Sequence, residues 1–539
     1  MKTIVELNLG FSDAVNYKKK ENKALLDKFF VRSKELDALL SPNIYFLVGD
    51  KGTGKTAYSV YLSNNEYRNT LSQSYPISET EYVKFIALKK ERHLTLSDYT
   101  NIWKVLLLLL MSKQIVKGED LLNNLRNYKE YANLQKGIDA FYDQAFSPEI
   151  ITALNIIENA EDAVKIMSDF FENSSKKGYE YSQEGKKFQF NLLKLEQMFK
   201  RSISKVKLTR DHILFIDGID IRPRGIAYED YLECVKGLAN ATWQLDSDYL
   251  SNIKDSKGRM RVILLLRPDI FATMGLQNQN NKMRDNCVLL DWKTTYPQYR
   301  KSGIFNLADK ILSVQQEENK NLGECWDYYF PFKNKNKEGK VDDSFVSFLR
   351  FSMFRPRDII TLMSILQNHI KNDGERQVAF VTEKDFDDPQ IRSDYSDYLL
   401  GEIKDYLEFY HTEEDYKLFL KFFEFLNGKA TFTYDEYMLA YNSFADYIEK
   451  NEITPPEQFA ASDRFLQFLY DLNVICYLAN TEDNDSMIHW SFREKSYSNF
   501  NPAVKEGVRY RIHYGLQKAL DTGKRYKPRR IVVHKTSNI

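Results

Sequence analysis

Short apolar runs bounded by turn residues recur along the first part of the chain, and longer stretches with helical spacing separate them. These runs predict five strands, at residues 43–48, 82–88, 212–217, 261–266 and 286–290. Strands that alternate with helices are typical of a parallel sheet covered by helices on its faces. We therefore expect an α/β fold built on a parallel sheet.

The same pattern predicts how the chain divides into regions. Residues 1–42 form a helical entry segment, and residues 43–300 form a core that contains a helical insertion at about 91–205. In residues 301–397 the apolar positions have helical spacing, which predicts a helical lid. In residues 398–539, three helical stretches precede NVICYL, the turn NTEDND and MIHWSF, which read as a β-hairpin. Three helices and a hairpin favour a winged-helix-like domain.

Composition is that of an ordinary globular protein. The chain has 539 residues, of which 43% are hydrophobic and 28% charged, so several domains with their own cores are expected. The 76 basic side chains balance the 76 acidic ones, which excludes a globally basic nucleic-acid binder and leaves only local charged patches for such contacts.

Several features indicate the compartment. The four cysteines are single and widely spaced, which disfavours a zinc site or a disulfide framework; they are Cys234, Cys287, Cys325 and Cys476. The N-terminus, MKTIVELNLGFSDA, lacks the apolar core of a signal peptide. The most apolar run, VLLLLLM at 105–111, is far shorter than the roughly 20 residues of a membrane span. We expect a cytoplasmic protein with no membrane contact.

A glycine-rich segment follows the first predicted strand. Residues 49–56, GDKGTGKT, satisfy GxxxxGK[ST] between the strand NIYFLV and the helical AYSVYLS. Backbone N–H groups of such a turn wrap around phosphates, and Lys55 would reach the β- and γ-phosphates while Thr56 binds Mg²⁺. A chance glycine turn is the alternative. The predicted nucleotide-binding residues are Gly49, Asp50, Lys51, Gly52, Thr53, Gly54, Lys55 and Thr56.

The third predicted strand carries the candidate acids. In HILFIDGID, four apolar residues lead to Asp217, a carboxylate suited to hold Mg²⁺ together with Thr56, although a plain turn residue would also fit. Asp220 is the nearest further acid, and would polarise the attacking water or else cap a helix or turn. Gly218 stands directly after Asp217, where many related sequences carry a glutamate, which indicates slow turnover.

Arginines at two places are candidates to contact the nucleotide. Arg267 ends the fourth predicted strand, where it would sense the γ-phosphate or form an ion pair at the sheet edge. Arg355, Pro356 and Arg357 begin an amphipathic helix that a closing lid would bring onto the nucleotide. Arg357 is equally consistent with a surface arginine paired with Asp358 or a neighbouring acid.

Missing motifs narrow the chemistry. The chain has no NKxD to read guanine, no LSGGQ-like signature and no QxxGRxxR, so ATP is favoured over GTP. A loose nuclease-like spacing of Pro268 and Asp269 with 338–340 is rejected, because such short matches are common by chance. The C-terminal GKRYKPRRIVVHK would contact a phosphate backbone or simply be a solvated tail, which leaves DNA as a possible partner.

These motifs resemble those of known ATPases. The stretch FVRSKELDALLSPNIYFLVGDKGTGKT looks like the entry to the core of AAA+ and STAND proteins, with Arg32 and Glu35 in the helix before the strand. FIDGID resembles the Walker B form of STAND and KAP ATPases. Most closely, the chain resembles the bacterial FunZ-like P-loop ATPases, through LGFSDAVNY, GDKGTGKTAY, IDGIDIRP, LLLRPDIF and LDWKTTYPQYR.

The resemblance implies a P-loop NTPase of the AAA+/STAND type with helical insertion, helical lid and winged-helix-like C-terminal domain. It also implies an ATP- and Mg²⁺-dependent regulatory switch in phage defence or mobile-element biology, acting as a homo-oligomer or on a partner protein. The alternative is an ATP-dependent DNA-binding protein of the origin-recognition type. Three arginines are unranked candidates to act on a neighbouring subunit: Arg222, Arg224 and Arg284.

Overall fold

The computed structural model divides the chain into two compact units. The sheet unit comprises Gly10–Asp291, and the C-terminal unit comprises Met1–Leu9 with Trp292–Ile539. The chain therefore passes between the units twice, at Leu9 and at Asp291. The described residues are 1–77, 96–118, 128–144, 181–220, 222, 226–275, 278–335, 341–372, 379–480, 486–496, 499 and 501–523.

A five-stranded sheet, parallel throughout, forms the centre of the sheet unit. Its strand order is β2-β3-β4-β1-β5. The strands are β1 Phe46–Val48, β2 Thr70–Pro76, β3 Asp211–Asp217, β4 Met260–Leu266 and β5 Cys287–Leu289. This arrangement confirms the predicted α/β fold with a parallel sheet.

The strand β4 lies between β1 and β3, although it follows both in sequence. Phe46 pairs with Leu264, and Leu214 pairs with Val262. Every residue of β4 is buried, as expected for a central strand covered on both faces. Since all strands run the same way, the carboxyl ends of β1, β3 and β4 lie at one edge of the sheet.

Four of the five predicted strands are confirmed, as β1, β3, β4 and β5. The predicted strand at 82–88 lies outside the described residues. The structure has instead β2, which the apolar pattern did not predict. Its sequence TLSQSYP is mostly polar because β2 is an edge strand that pairs with β3 alone and is only partly buried.

Helices α1 to α9 belong to the sheet unit. They are α1 Lys23–Phe29, α2 Lys34–Ala38, α3 Lys55–Asn64, α4 Leu96–Gly118, α5 Tyr128–Gln144, α6 Tyr181–Ile203, α7 Tyr228–Gln244, α8 Pro268–Thr273 and α9 Gln279–Asn286. Shorter turns of helix lie at Ala14–Lys18, Leu245–Tyr249 and Leu250–Asn252.

Three of these helices lie where the sequence predicts helical spacing between strands: α4, α5 and α6. The helix α4 packs against α6 and α7, and Trp103 Nε1 donates to the Cys234 carbonyl oxygen at 3.1 Å. The apolar run at 105–111 is part of α4. None of the helices in the described ranges combines the length and apolar character that a membrane crossing requires.

The C-terminal unit is mainly helical. Its helices are α10 Gly303–Ser313, α11 Glu324–Tyr329, α12 Ser344–Phe351, α13 Pro356–Asn372, α14 Glu383–Phe386, α15 Pro389–Tyr410, α16 Glu413–Phe425, α17 Tyr434–Lys450, α18 Ser462–Asp471 and α19 Ser491–Glu494. Its strands are β6 Lys333–Lys335, β7 Val341–Asp343, β8 Thr431–Thr433, β9 Ile475–Asn480, β10 Ser486–His489 and β11 Arg509–Ile512.

The three C-terminal helices and the hairpin that the sequence predicts are present, as α16, α17, α18 and the antiparallel pair β9 and β10. Thr412 and Thr433 begin α16 and α17 with capping boxes, the signal expected at a helix start. An unpredicted strand, β11, pairs with both β8 and β9. It completes a four-stranded antiparallel sheet of order β10-β9-β11-β8.

Candidate functional site

The glycine loop, which we define as residues 49–56, connects β1 to α3 at the carboxyl edge of the sheet. Gly52 and Gly54 have φ angles of 86° and 96°, a left-handed conformation that favours glycine. Gly54 is the residue before the first turn of α3, which begins at Lys55. The predicted succession of strand, glycine-rich turn and helix is therefore present.

Lys55 is buried at the base of this loop, with 7% of its surface exposed. Its Nζ donates to the Gly49 carbonyl oxygen at 2.8 Å and to the Asp50 carbonyl oxygen at 3.3 Å. Burial lowers the pKa of Lys55, while the negative charges of Asp220 and Asp217 oppose that effect. An ammonium group has three N–H donors, and the two loop carbonyls take two of them.

Thr56 and Asp217, the two predicted metal ligands, are in direct contact. Thr56 Oγ1 donates to Asp217 Oδ2 at 2.8 Å, and the Gly218 amide donates to Asp217 Oδ1 at 2.9 Å. Burial raises the pKa of Asp217, and the charge of Asp220 raises it further. A hydroxyl and a carboxylate are oxygen donors of the kind that Mg²⁺ prefers.

Over the described ranges, no group of three or more His, Cys, Asp or Glu side chains is placed to hold a metal ion. Thr56 and Asp217 together supply two oxygen ligands. Mg²⁺ at nucleotide sites commonly takes one or two protein oxygens and completes its shell with phosphates and water. The donors at this edge of the sheet therefore fit Mg²⁺ that arrives with a nucleotide.

Gly218 has a steric reason to lack a side chain. Its φ angle is 85°, and a Cβ at this position would lie 2.5 Å from the carbonyl oxygen of Ile77. The Ile77 amide donates to the Asp217 carbonyl oxygen at 2.8 Å, which fixes this approach. A glutamate directly after Asp217 is thereby excluded. Asp220 is the next acid along the chain, and its charge acts on both Lys55 and Asp217.

Arg267 follows β4, between the strands that carry the glycine loop and Asp217. Its side chain is 3% exposed, and its Nε and Nη2 donate to the two carboxylate oxygens of Asp269 at 3.1 and 2.6 Å. The positive charge of Arg267 contributes to the lowered pKa of Lys55. The ion pair that the sequence left as one alternative is thus formed, in electrostatic reach of the glycine loop.

The predicted lid residues, Arg355, Pro356 and Arg357, lie at the start of α13 in the C-terminal unit. Arg355 is buried and donates to both carboxylate oxygens of Asp358 at 2.6 to 3.1 Å. Arg357 lies 3.4 Å from Glu402. Both arginines therefore have acidic partners within their own unit, and for Arg357 this is the pairing with a neighbouring acid that the sequence left open.

The remaining predicted arginines differ in their surroundings. Arg222 donates from Nη1 to the Ile226 carbonyl oxygen at 2.7 Å, whereas Arg284 is exposed on α9. Arg32 donates to the Tyr61 hydroxyl at 3.0 Å and so ties the entry segment to α3. Arg224 and the basic residues after Gly523 lie outside the described residues.

Lys18 was not singled out by the sequence interpretation. It ends the short helix Ala14–Lys18 and is half-buried; burial lowers its pKa, and the negative charges of Asp217 and Asp13 oppose that effect. It directly follows LGFSDAVNY, a stretch that carries the FunZ-like resemblance. Hydrophobic spacing does not predict that the charge of Asp217 affects the pKa of a residue so early in the chain.

Comparison with known proteins assigns neither a family nor a function to the chain. No family model matches the chain, and no curated protein matches it in sequence. The functional case therefore depends on the geometry around the glycine loop.

Proposed function

We propose that the chain binds ATP with Mg²⁺ at the glycine loop and hydrolyses it, acting as a nucleotide-dependent regulatory switch. The observation that carries this proposal is the contact between Thr56 and Asp217 beside the buried Lys55. A hydroxyl, a carboxylate and an ammonium group converge at the carboxyl edge of a parallel sheet, where ligands of such sheets bind.

Binding would use the loop backbone and the start of α3. The left-handed conformation of Gly52 and Gly54 lets the backbone turn tightly, so that loop amides could donate to phosphate oxygens, and the N-terminal end of α3 would add its positive dipole. Lys55 supplies a point charge for the β- and γ-phosphates. Thr56 and Asp217 would hold Mg²⁺. The bound ion would neutralise the negative charge that develops on the transferred phosphoryl group.

Hydrolysis needs a base for the attacking water, and Asp220 is the candidate. The water oxygen forms a bond to the γ-phosphorus, the bond to the bridging oxygen of ADP breaks, and Asp220 accepts the proton of the water. Gly218 leaves no room for an acid directly after Asp217, so this task falls to Asp220.

Arg267 would connect hydrolysis to a change of shape. Its guanidinium is paired with Asp269, which is in the first turn of α8. A γ-phosphate near Arg267 would compete with that carboxylate for the same donors. Loss of the phosphate would then restore the Arg267–Asp269 pair and with it the position of α8.

The family and the remaining architecture are part of the same proposal. We infer a FunZ-like P-loop ATPase of the AAA+/STAND type, with a winged-helix-like region formed by α16 to α18 and the β9–β10 hairpin. The DNA-binding alternative is less well supported, because residues 413–471 carry twelve acidic side chains against five basic ones. Such helices repel a phosphate backbone, so a protein partner or a second copy of the chain is the preferred target.

Three variants of the full chain test the proposal. Lys55→Ala should abolish nucleotide binding, because it removes the buried cation of the phosphate site. Asp217→Ala should remove turnover and keep weakened binding, and Asp220→Asn should lower kcat about 100-fold or more with ATP affinity retained. Binding is measured by calorimetry with Mg²⁺ present, and turnover by phosphate release.

Asp255→Asn is the control, since this exposed acid precedes β4 at the opposite edge of the sheet and should change neither quantity. Wild-type protein that binds no nucleotide, or turnover that survives both Lys55→Ala and Asp217→Ala, would overturn the proposal.

A further inference from the structure

The β2 terminus, which we define as residues 74–77, holds the backbone around Asp217. The Ile77 amide donates to the Asp217 carbonyl oxygen at 2.8 Å, and the Ile77 carbonyl oxygen lies 2.5 Å from the place of a Cβ on Gly218. Ile77 is itself buried. The position of the Asp217 carboxylate therefore depends on where the β2 terminus lies.

The β2 terminus also contacts α3, the helix that carries Thr56. The Ser74 and Ser59 hydroxyl oxygens lie 3.2 Å apart, and Ser59 Oγ donates to the Thr56 carbonyl oxygen at 3.0 Å. A hydroxyl has a single hydrogen. Since that of Ser59 is given to Thr56, the Ser74 hydroxyl is the donor to Ser59. We define this series, Ser74 to Ser59 to Thr56, as the hydroxyl chain.

The hydroxyl chain and Ile77 close a circuit of hydrogen bonds through both candidate metal ligands. Thr56 Oγ1 donates to Asp217 Oδ2 at 2.8 Å, so the circuit runs from β2 through α3 to Asp217 and returns to the β2 terminus. The same bond directs the one hydrogen of the Thr56 hydroxyl to Asp217 and leaves the lone pairs of Oγ1 for a cation. The β2 terminus thus holds Asp217 through the backbone of Ile77 and Thr56 through the side chain of Ser74.

Packing does not account for a pair of serines between β2 and α3. Ser59 is fully buried, and its neighbours in sequence, Tyr58 and Val60, belong to the apolar cluster that contains Leu47 of β1. Replacing both partners of a buried hydrogen bond by apolar groups of similar shape is often nearly neutral for stability. The fold therefore gains little from the two hydroxyls, and what alanines would not supply is the directed bond to the Thr56 carbonyl oxygen.

We propose that Ser59 and Ser74 are positioning residues for Mg²⁺. Through the hydroxyl chain they hold the first turn of α3 where Thr56 and Asp217 can bind one ion. This role rests on the proposed function, since it requires a complex of Mg²⁺ and nucleotide at the glycine loop. Mg²⁺ demands near-ideal octahedral geometry with ligands at about 2.0–2.1 Å, so a small displacement of Thr56 lowers the affinity for the ion. Phosphate binding by the flexible, point-charged Lys55 tolerates such a displacement better.

The competing role for the two serines is a structural contact between β2 and α3. In that case their loss would weaken ATP binding equally with and without Mg²⁺, because the whole glycine loop would be affected. Loss of a positioning role instead weakens only the binding that includes the metal. The ratio of the ATP affinities with Mg²⁺ and with EDTA therefore separates the two roles.

The test compares dissociation constants of ATP for the full chain, measured by calorimetry with Mg²⁺ and again with EDTA. Ser74→Ala should weaken ATP binding about fivefold with Mg²⁺, the net effect of one hydrogen bond, and leave it nearly unchanged with EDTA. Ser74→Thr should recover most of the loss, since it keeps the hydroxyl. Ser72→Ala is the matched control and should alter neither constant. Ser72 lies on the same face of β2, and its buried hydroxyl has no hydrogen-bond partner among the described residues.

A double variant tests whether the two serines act as one chain. Ser59→Ala removes both bonds, so it should weaken ATP binding with Mg²⁺ at least as much as Ser74→Ala does. Adding Ser74→Ala to Ser59→Ala should then cause no further loss, because the bond between them is already gone. Losses that add would show that Ser74 acts independently of Ser59 and would overturn the hydroxyl chain.

An equal loss in Ser74→Ala with Mg²⁺ and with EDTA, or no loss in either, leaves the ratio of the two constants at its wild-type value. That result overturns the positioning role and leaves the proposed function standing. Wild-type protein that binds no ATP in either condition overturns both proposals.

Discussion

At the candidate site, the identity of a single residue can depend on a close contact that the sequence does not show. Gly218 follows Asp217 at a position where the resemblance to other ATPases leads us to expect a glutamate, so the sequence alone predicts slow turnover. The structure gives a steric cause, because the Ile77 carbonyl oxygen fills the space that a Cβ would need. Asp220 is the next acid along the chain, and its negative charge raises the pKa of Asp217.

Gly218→Ala should therefore be costly in two ways. The left-handed backbone alone costs an alanine about 1–2 kcal/mol, and the clash with Ile77 adds to that. Gly275→Ala is the matched control, since Gly275 also has a positive φ angle, 62°, but no atom of the described residues within 4 Å of an added Cβ. Urea denaturation should show the larger loss for Gly218→Ala. Equal losses would mean that β2 shifts to relieve the clash.

At the level of elements, the sequence predicts those with a strong apolar signature and misses those without one. The strands β3 and β4 are buried in the interior of the sheet and are therefore apolar, so the pattern of hydrophobic residues along the chain predicts them. The strands β2 and β11 were missed. β2 is a partly buried edge strand and is mostly polar. β11 has only four residues, RYRI, of which two are arginines, so it contains no apolar run.

The candidate site was predictable to a similar degree. The glycine loop and Asp217 follow from motifs whose spacing is local, so Lys55, Thr56 and Asp217 are found together as predicted. The position of Lys18 was not predictable, because it depends on how the short helix Ala14–Lys18 packs against α3. The sequence left open whether Arg267 and Arg357 pair with acids, because their partners Asp269 and Glu402 are fixed by the folded chain.

The end of β11 is joined to α12 by a buried histidine. His513 Nε2 lies 3.2 Å from the Ser352 carbonyl oxygen, its Nδ1 accepts from the Gly515 amide at 3.2 Å, and Trp490 packs edge-on against its ring. Burial lowers the pKa of His513 to about 4, and Arg355 and Arg493 act in the same direction. The hydrogen bond to the Ser352 carbonyl oxygen and the charge of Asp358 oppose this shift. The neutral imidazole is therefore the form that fits this junction.

The stability of the C-terminal unit should depend on pH through His513. Between pH 6.5 and about 4 the unfolded chain binds a proton that the folded chain does not, so stability falls as pH decreases through this window. The loss in free energy of unfolding approaches about 3 kcal/mol, and it levels off below about pH 4. His513→Asn, which cannot titrate there, should show a correspondingly flatter dependence in urea denaturation at several pH values. Parallel curves for the two proteins would contradict this assignment.

At the scale of the whole molecule, the chain forms two compact units and passes from one to the other at Leu9 and at Asp291. Proteins of this kind commonly unfold in more than one step. A ligand stabilises only the folded region that binds it, by about 2.7 kcal/mol at 100 times its dissociation constant. The residues proposed for ATP binding all lie in the sheet unit, with the exception of the lid candidates on α13.

Calorimetry with and without ATP and Mg²⁺ should therefore show two transitions, of which one rises in temperature with nucleotide. Gly218→Ala should lower that same transition, because Gly218 belongs to the sheet unit, and Lys55→Ala should remove its response to ATP. His513→Asn should change the pH dependence of the other transition. If ATP raised both transitions equally, α13 or another part of the C-terminal unit would have to contribute to binding, and Arg355 and Arg357 would be the first residues to replace.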